Sequence, residues 1–119
     1  MDKNKVKEKL VKGEVPIGCQ LRSRSPLIAE ILGHCGFDYV FIENEHFPYN
    51  NETIEQIIRA CENSNTEPFL RMPNHDSGLI TQFLDMGIKG LLFPHVDNIA
   101  DVTKIVEAGK FNPIGNRGF

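Results

Sequence analysis

The chain has 119 residues, 40% of them hydrophobic and 24% charged, with a formal net charge of −3; these values fit one globular domain and do not indicate disorder. Charge this close to balance, with no basic patch beyond an N-terminal lysine run, argues against nucleic acid as a partner. No apolar run approaches the ~20 residues that span a bilayer, and the N-terminus lacks a signal-peptide core, so no membrane partner and a cytoplasmic location are expected.

In chain order, Asp2 to Lys12 reads as a weakly amphipathic helix with Val6, Leu10 and Val11 inward, stopped by Gly13 and Pro16. Ile17 to Leu21 reads as a first strand with Arg22, Ser23 and Arg24 at its exit. Ser25-Pro26 is a helix start, a serine N-cap with proline at the first helical position, followed by a stripe of Leu27, Ile28, Ile31, Leu32 and Cys35 and a stop at Gly36. Tyr39 to Ile42 is β-branched and aromatic and too short for a helix. It empties into Glu43, Asn44, Glu45 and His46.

Asn50-Asn51-Glu52 opens a helix with Ile54, Ile57, Ile58 and Cys61 inward, closed by the polar stretch Glu62 to Glu67. Pro68 to Pro73 is a strand with Arg71 near its exit. Asp76 or Ser77 caps the next helix, with Leu79, Ile80, Phe83 and Leu84 inward and Gly87 as its stop. Gly90 to Pro94 is a fourth strand leading to His95 and Asp97. Asn98 caps a last helix with Ile99, Val102, Ile105 and Val106 inward, ended by Gly109, and residues 112–118 form a turn-rich loop.

One helix followed by four β-α units predicts parallel strands with right-handed crossovers. Four such units are half of a (β/α)8 barrel, which typically needs ~250 residues. The expected fold is therefore α/β of TIM-barrel type, a half-barrel over residues 1–119 with no second domain. A doubly wound binding domain is a weaker option, since no Gly-rich phosphate loop is present.

In parallel α/β folds, ligands meet the carboxyl ends of the strands. His46 is the first candidate, because an imidazole takes and returns a proton near neutral pH, and Glu43 and Glu45 stand ready to tune it. A loop-capping histidine between solvated glutamates is the plainer alternative. Cys19, Cys35 and Cys61 are odd in number and widely spaced; they define neither a disulfide framework nor a zinc site. Cys35 and Cys61 are expected as buried structural thiols.

Ser25-Pro26 with Glu30, Gly36-Phe37-Asp38, Glu45-His46-x-Pro48, Arg71-x-Pro73, Leu84-Asp85-x-Gly87, Pro94 and Pro113-x-Gly115-x-Arg117-Gly118 together resemble the metal-dependent 2-oxo-acid aldolases. That group includes 4-hydroxy-2-oxoheptanedioate and 2-dehydro-3-deoxyglucarate aldolases and belongs to the citrate lyase β-chain superfamily. The resemblance implies reversible aldol cleavage of a 2-oxo acid to pyruvate and an aldehyde through a metal-bound enolate. It implies His46 as general base and Arg71 as the substrate-binding cation that stabilises the enolate. Asp85 matches the carboxylate that raises the basicity of that histidine. Its place at a helix end suggests that it reaches His46 of a neighbouring subunit in a homo-oligomer, or else that it pairs locally with a lysine or a backbone N–H.

Glu43 stands where the family commonly has aspartate, so its contact with His46 is expected to be displaced. The family's Mg2+ or Mn2+ takes ligands on later strands, which would lie beyond Phe119. His95 and Asp97 are expected to serve the loop rather than a metal, and 115–118 to form a turn. By itself the chain is expected to be weakly active or inactive. The alternative is a non-catalytic half-barrel that associates with a C-terminal half or with itself, prompted by two unpaired strand edges.

Overall fold

The computed structural model describes residues 3–118. Five helices and four strands alternate: α1 Lys5–Val11, β1 Gly18–Leu21, α2 Pro26–His34, β2 Tyr39–Glu43, α3 Asn51–Asn63, β3 Glu67–Arg71, α4 Ser77–Met86, β4 Gly90–Leu92 and α5 Ile99–Gly109. The strands form one sheet in the order β1-β2-β3-β4, every pair parallel. Right-handed crossovers between strands laid down in sequence put every connecting helix on one face. This is the winding of a (β/α)8 barrel, and the sheet has no reversal of strand order of the kind that defines a doubly wound fold. The chain is thus α/β of TIM-barrel type, with an N-terminal helix and four βα units.

The core lies between sheet and helices. Leu21, Val40, Ile42 and Leu70 meet Ala29, Ile54, Ile57, Ile58, Cys61 and Ile80 there, all essentially inaccessible to solvent. The alternate strand positions, Gln20, Phe41, Glu43, Phe69, Arg71 and Leu92, share the other face, as the pleat requires. On that face the Tyr39 ring lies over Gly18 and the Phe69 ring over Gly90, where a Cβ would fall 2.2 and 2.6 Å from ring carbons. Glycine at these two positions makes room for an aromatic shelf.

Three caps are made as the sequence suggests. Asn50, Asp76 and Asn98 accept from the backbone N–H groups of Thr53, Leu79 and Asp101. Ser25 holds the N-cap position of α2 without a side-chain cap bond, while Pro26 takes the first helical position. Gly87 ends α4 in the left-handed region at φ 110°. α1 is capped by Asn4 and starts at Lys5, whereas the predicted start at Asp2 lies outside the described residues.

Three predicted apolar stripes are corrected. In α1 only Val6 is buried, and Leu10 and Val11 face outward. In α2 the buried residues are Ala29 and Gly33, while Leu27, Ile28, Ile31 and Cys35 are exposed. In α5 the buried residue is Ala108, and Ile99, Val102 and Val106 are exposed. Cys61 is buried as expected, and burial pushes its thiol up to about 12. The stretch read as a polar closure also changes character: Ser64, Thr66 and Glu67 are buried, and Glu67 begins β3.

Candidate active site

The apolar pattern sets β2 beside β3 in a register that makes Glu43 and Arg71 direct neighbours at the carboxyl ends of their strands. Glu43 is fully buried. Its Oε1 accepts from the backbone N–H groups of Glu45 at 3.0 Å and His46 at 3.2 Å. Its Oε2 accepts from Gln20 Nε2 at 3.0 Å and from the Arg71 guanidinium at 3.1 Å. Burial pushes its carboxyl up, but the two N–H groups and Arg71 outweigh that and hold it below the usual carboxylate range. Glu43 therefore stays ionised, and it fixes both the turn that carries Glu45 and His46 and the head of Arg71.

Glu45 is the second organiser. Its Oε2 is ion-paired with Arg71 Nη2 and lies 3.5 Å from His46 Nε2, while its Oε1 lies 3.1 Å from His95 Nε2. One carboxylate thus touches the guanidinium and two imidazoles. His46 remains largely exposed at the mouth, whereas Arg71 is mostly covered. Asn44 and Tyr49 brace the loop from beneath. Asn44 Oδ1 accepts from Tyr49 N at 2.9 Å, and the Tyr49 hydroxyl donates to the Leu21 carbonyl at 3.0 Å.

Glu43, Glu45, His46 and Arg71 are therefore brought together, and Asp85 is not among them. α4 runs back from the strand exits and ends with Asp85 on the opposite rim, where its Oδ1 pairs with Arg117 Nη2 at 2.6 Å. That arginine supplies the contact expected of an anion set against the helix macrodipole. The Asp85 partner within this chain is thus neither His46 nor a lysine; the turn in the turn-rich loop falls at residues 111–115, ahead of the 115–118 stretch expected to form it, and Arg117 instead bridges back to Phe111. His95 adopts a left-handed backbone at φ 53° and joins the site through Glu45. Sequence reading passed over Gln20. A lone amide inside an otherwise apolar strand was its only signal.

Among the described residues, no three His, Cys, Asp or Glu side chains converge to hold a metal ion. Both oxygens of Glu43 and the Oε1 of Glu45 are taken by nitrogen donors, which leaves only the Glu45 Oε2, ion-paired with Arg71, without a hydrogen-bond partner. Mg2+ and Mn2+ need several free oxygen ligands. The residues of this chain alone do not fit that cation.

The chain belongs to the HpcH/HpaI aldolase/citrate lyase family, whose model matches residues 17–118. It is 34% identical to the hydroxypyruvate/pyruvate aldolase of Roseobacter denitrificans over 97% of its own length and 45% of that protein. It is 36% identical to the 2-keto-3-deoxy-L-rhamnonate aldolase of Escherichia coli, again over 97% of its length and 43% of that protein. Among solved structures, it superimposes on the citrate synthase SbnG with a TM-score of 0.91 at 32% identity, covering 96% of this chain and 46% of that one. The chain spans about half the length of the curated relatives it matches.

Proposed function

We propose that this chain is the N-terminal half of an aldolase-type carbon–carbon lyase acting on a 2-oxo acid, with His46 as the proton-transfer base and Arg71 as the cation for the carbonyl oxygen. The observation that carries the reading is the convergence of Glu43, Glu45, His46 and Arg71 at the carboxyl ends of two adjacent parallel strands. Support also comes from relatives named as aldolases over nearly the whole chain.

In cleavage, His46 takes the proton of the C4 hydroxyl, the C3–C4 bond breaks, the aldehyde leaves, and the electron pair is left as the enolate of pyruvate. A proton returned to C3 completes the reaction. Negative charge grows on the C2 oxygen, and a guanidinium held in place beforehand stabilises it without reorganising. Arg71 Nε is buried and has no hydrogen-bond partner. Glu45 holds the base and the cation at fixed separation.

Three further elements belong to the same reading. They are a divalent Mg2+ or Mn2+ whose ligands this chain does not supply, Asp85 donated to His46 by a neighbouring copy in a homo-oligomer, and a cytoplasmic setting in keeping with three free thiols.

The test is exchange of the pyruvate methyl protons for deuterium, followed by proton NMR with Mg2+ present. Weak exchange above the buffer rate is expected, falling to the buffer rate in His46→Gln, since a positioned base contributes about a hundredfold or more. A second reading, a half-barrel that works by associating with a C-terminal half or with itself, is favoured by the unpaired outer edges of β1 and β4. No exchange together with a stable oligomer would select it.

A further inference from the structure

Three arginines crowd the strand exits, and their commitments differ. Arg24 is spent on the neighbouring loop: its guanidinium lies 4.5 Å over the Phe47 ring and donates to the Pro48 carbonyl at 3.2 Å. Arg71 is spent on Glu43 and Glu45. Arg22 makes no hydrogen bond to any other described residue.

Its ion-pair partner, Glu43 Oε2, is 3.9 Å away, which is beyond hydrogen-bond reach. A carboxylate offers about four lone-pair sites, and those of Glu43 already receive Gln20, Arg71 and two backbone N–H groups. Arg22 is therefore drawn to the mouth by charge alone. Its side chain is 58% exposed, so the donors of its planar fork face solvent. Such a fork matches a carboxylate in a bidentate way.

We propose that Arg22 binds a second carboxylate on the substrate, so that the mouth selects short 2-oxo dicarboxylates over 2-oxo monocarboxylates. The proposal rests on reading this mouth as a 2-oxo-acid site. Arg22 and Arg71 both lie within 4 Å of the same Glu43 oxygen. A ligand whose reacting end engages Arg71 and His46 consequently has its far end within reach of Arg22, toward β1.

The test is isothermal titration calorimetry of the 119-residue chain with pyruvate and with 2-oxoglutarate, in the native protein, Arg22→Gln and Arg22→Lys. The native chain is expected to bind 2-oxoglutarate about tenfold more tightly than pyruvate, the low end for a charge-assisted hydrogen bond. Arg22→Gln removes that margin while pyruvate affinity stays within about twofold, and Arg22→Lys keeps part of it. Equal loss for both ligands, an unchanged 2-oxoglutarate affinity in Arg22→Gln, or no binding of 2-oxoglutarate to the native chain overturns the proposal.

A second measurement needs no variant: the Arg22 Nε–Hε resonance moves on adding 2-oxoglutarate and stays put with pyruvate, and the opposite result counts against Arg22. Preferential 2-oxoglutarate binding without methyl-proton exchange keeps Arg22 and discards the lyase reading. Exchange without that preference does the reverse.

Discussion

Glu43 is the residue from which the mouth is assembled, because one buried carboxylate orients the loop bearing His46 and the head of Arg71 together. Glu43→Gln keeps the shape and removes the charge. It is expected to cost about 2–3 kcal/mol at neutral pH, the scale of hydrogen bonds to charged groups. The folded carboxyl holds its proton less tightly than the unfolded one, whose ordinary value is near ~4.3. Its contribution is therefore full above that value and is lost as pH falls through the lower folded one. Asp38 behaves in the same way, since the hydrogen bond from Lys9 and then that from the Ile17 N–H hold its carboxyl down. Urea midpoints between pH 6 and 3 check this: the native chain loses stability with acid, and the gap between it and Glu43→Gln narrows. A gap that stays constant with pH would mean that the charge of Glu43 does not stabilise the fold.

Among the elements, α2 shows most clearly where sequence pattern and packing part. Its apolar residues suggested a buried stripe through Leu27 and Ile31, yet the side that meets α3 presents Ala29 and Gly33. The reason is distance. A Cβ at Gly33 would lie 2.1 Å from Ser64 Oγ and 2.8 Å from the Ser64 carbonyl oxygen. The two helix backbones approach so closely that only small residues fit between them. Hydrophobic periodicity counts large apolar residues and is blind to such a contact. Gly33→Ala improves helix propensity but forces α2 off α3, and a net loss of about 1–3 kcal/mol is expected from the overpacking. Leu27→Ala, on the exposed side, is expected to stay within about 0.5 kcal/mol. Chemical denaturation of both variants decides, and equal costs would contradict the packing described. The caps at Asn50, Asp76 and Asn98 were legible because a cap is local chemistry, fixed by residues three apart.

At the scale of the molecule, parallel order and strand sequence followed from the alternation of strand and helix. The site was legible in part for the same reason: His46, Arg71 and the two glutamates all fall at strand exits, which parallel strands align. What pairs across strands, such as Gln20 with Glu43 or His95 with Glu45, depends on register and side-chain reach, and neither is written in a local stretch. The misplaced stripes have a global meaning too. Several large apolar side chains stay exposed: Val15 and Ile17 precede β1, Leu92 lies in β4, and Ile99, Val102 and Val106 lie on α5. Among the described residues, β1 and β4 are the outer strands of the sheet and each leaves one edge unpaired. Exposed apolar surface beside an open strand edge favours pairing with another chain. The 119-residue chain is therefore expected to associate at micromolar concentration. Ile99→Lys and Val102→Lys together should shift it toward monomer with little change in folding, because both side chains are already exposed. Sedimentation velocity over a concentration series measures this, and a native chain that stays monomeric throughout would show that these apolar side chains need no covering.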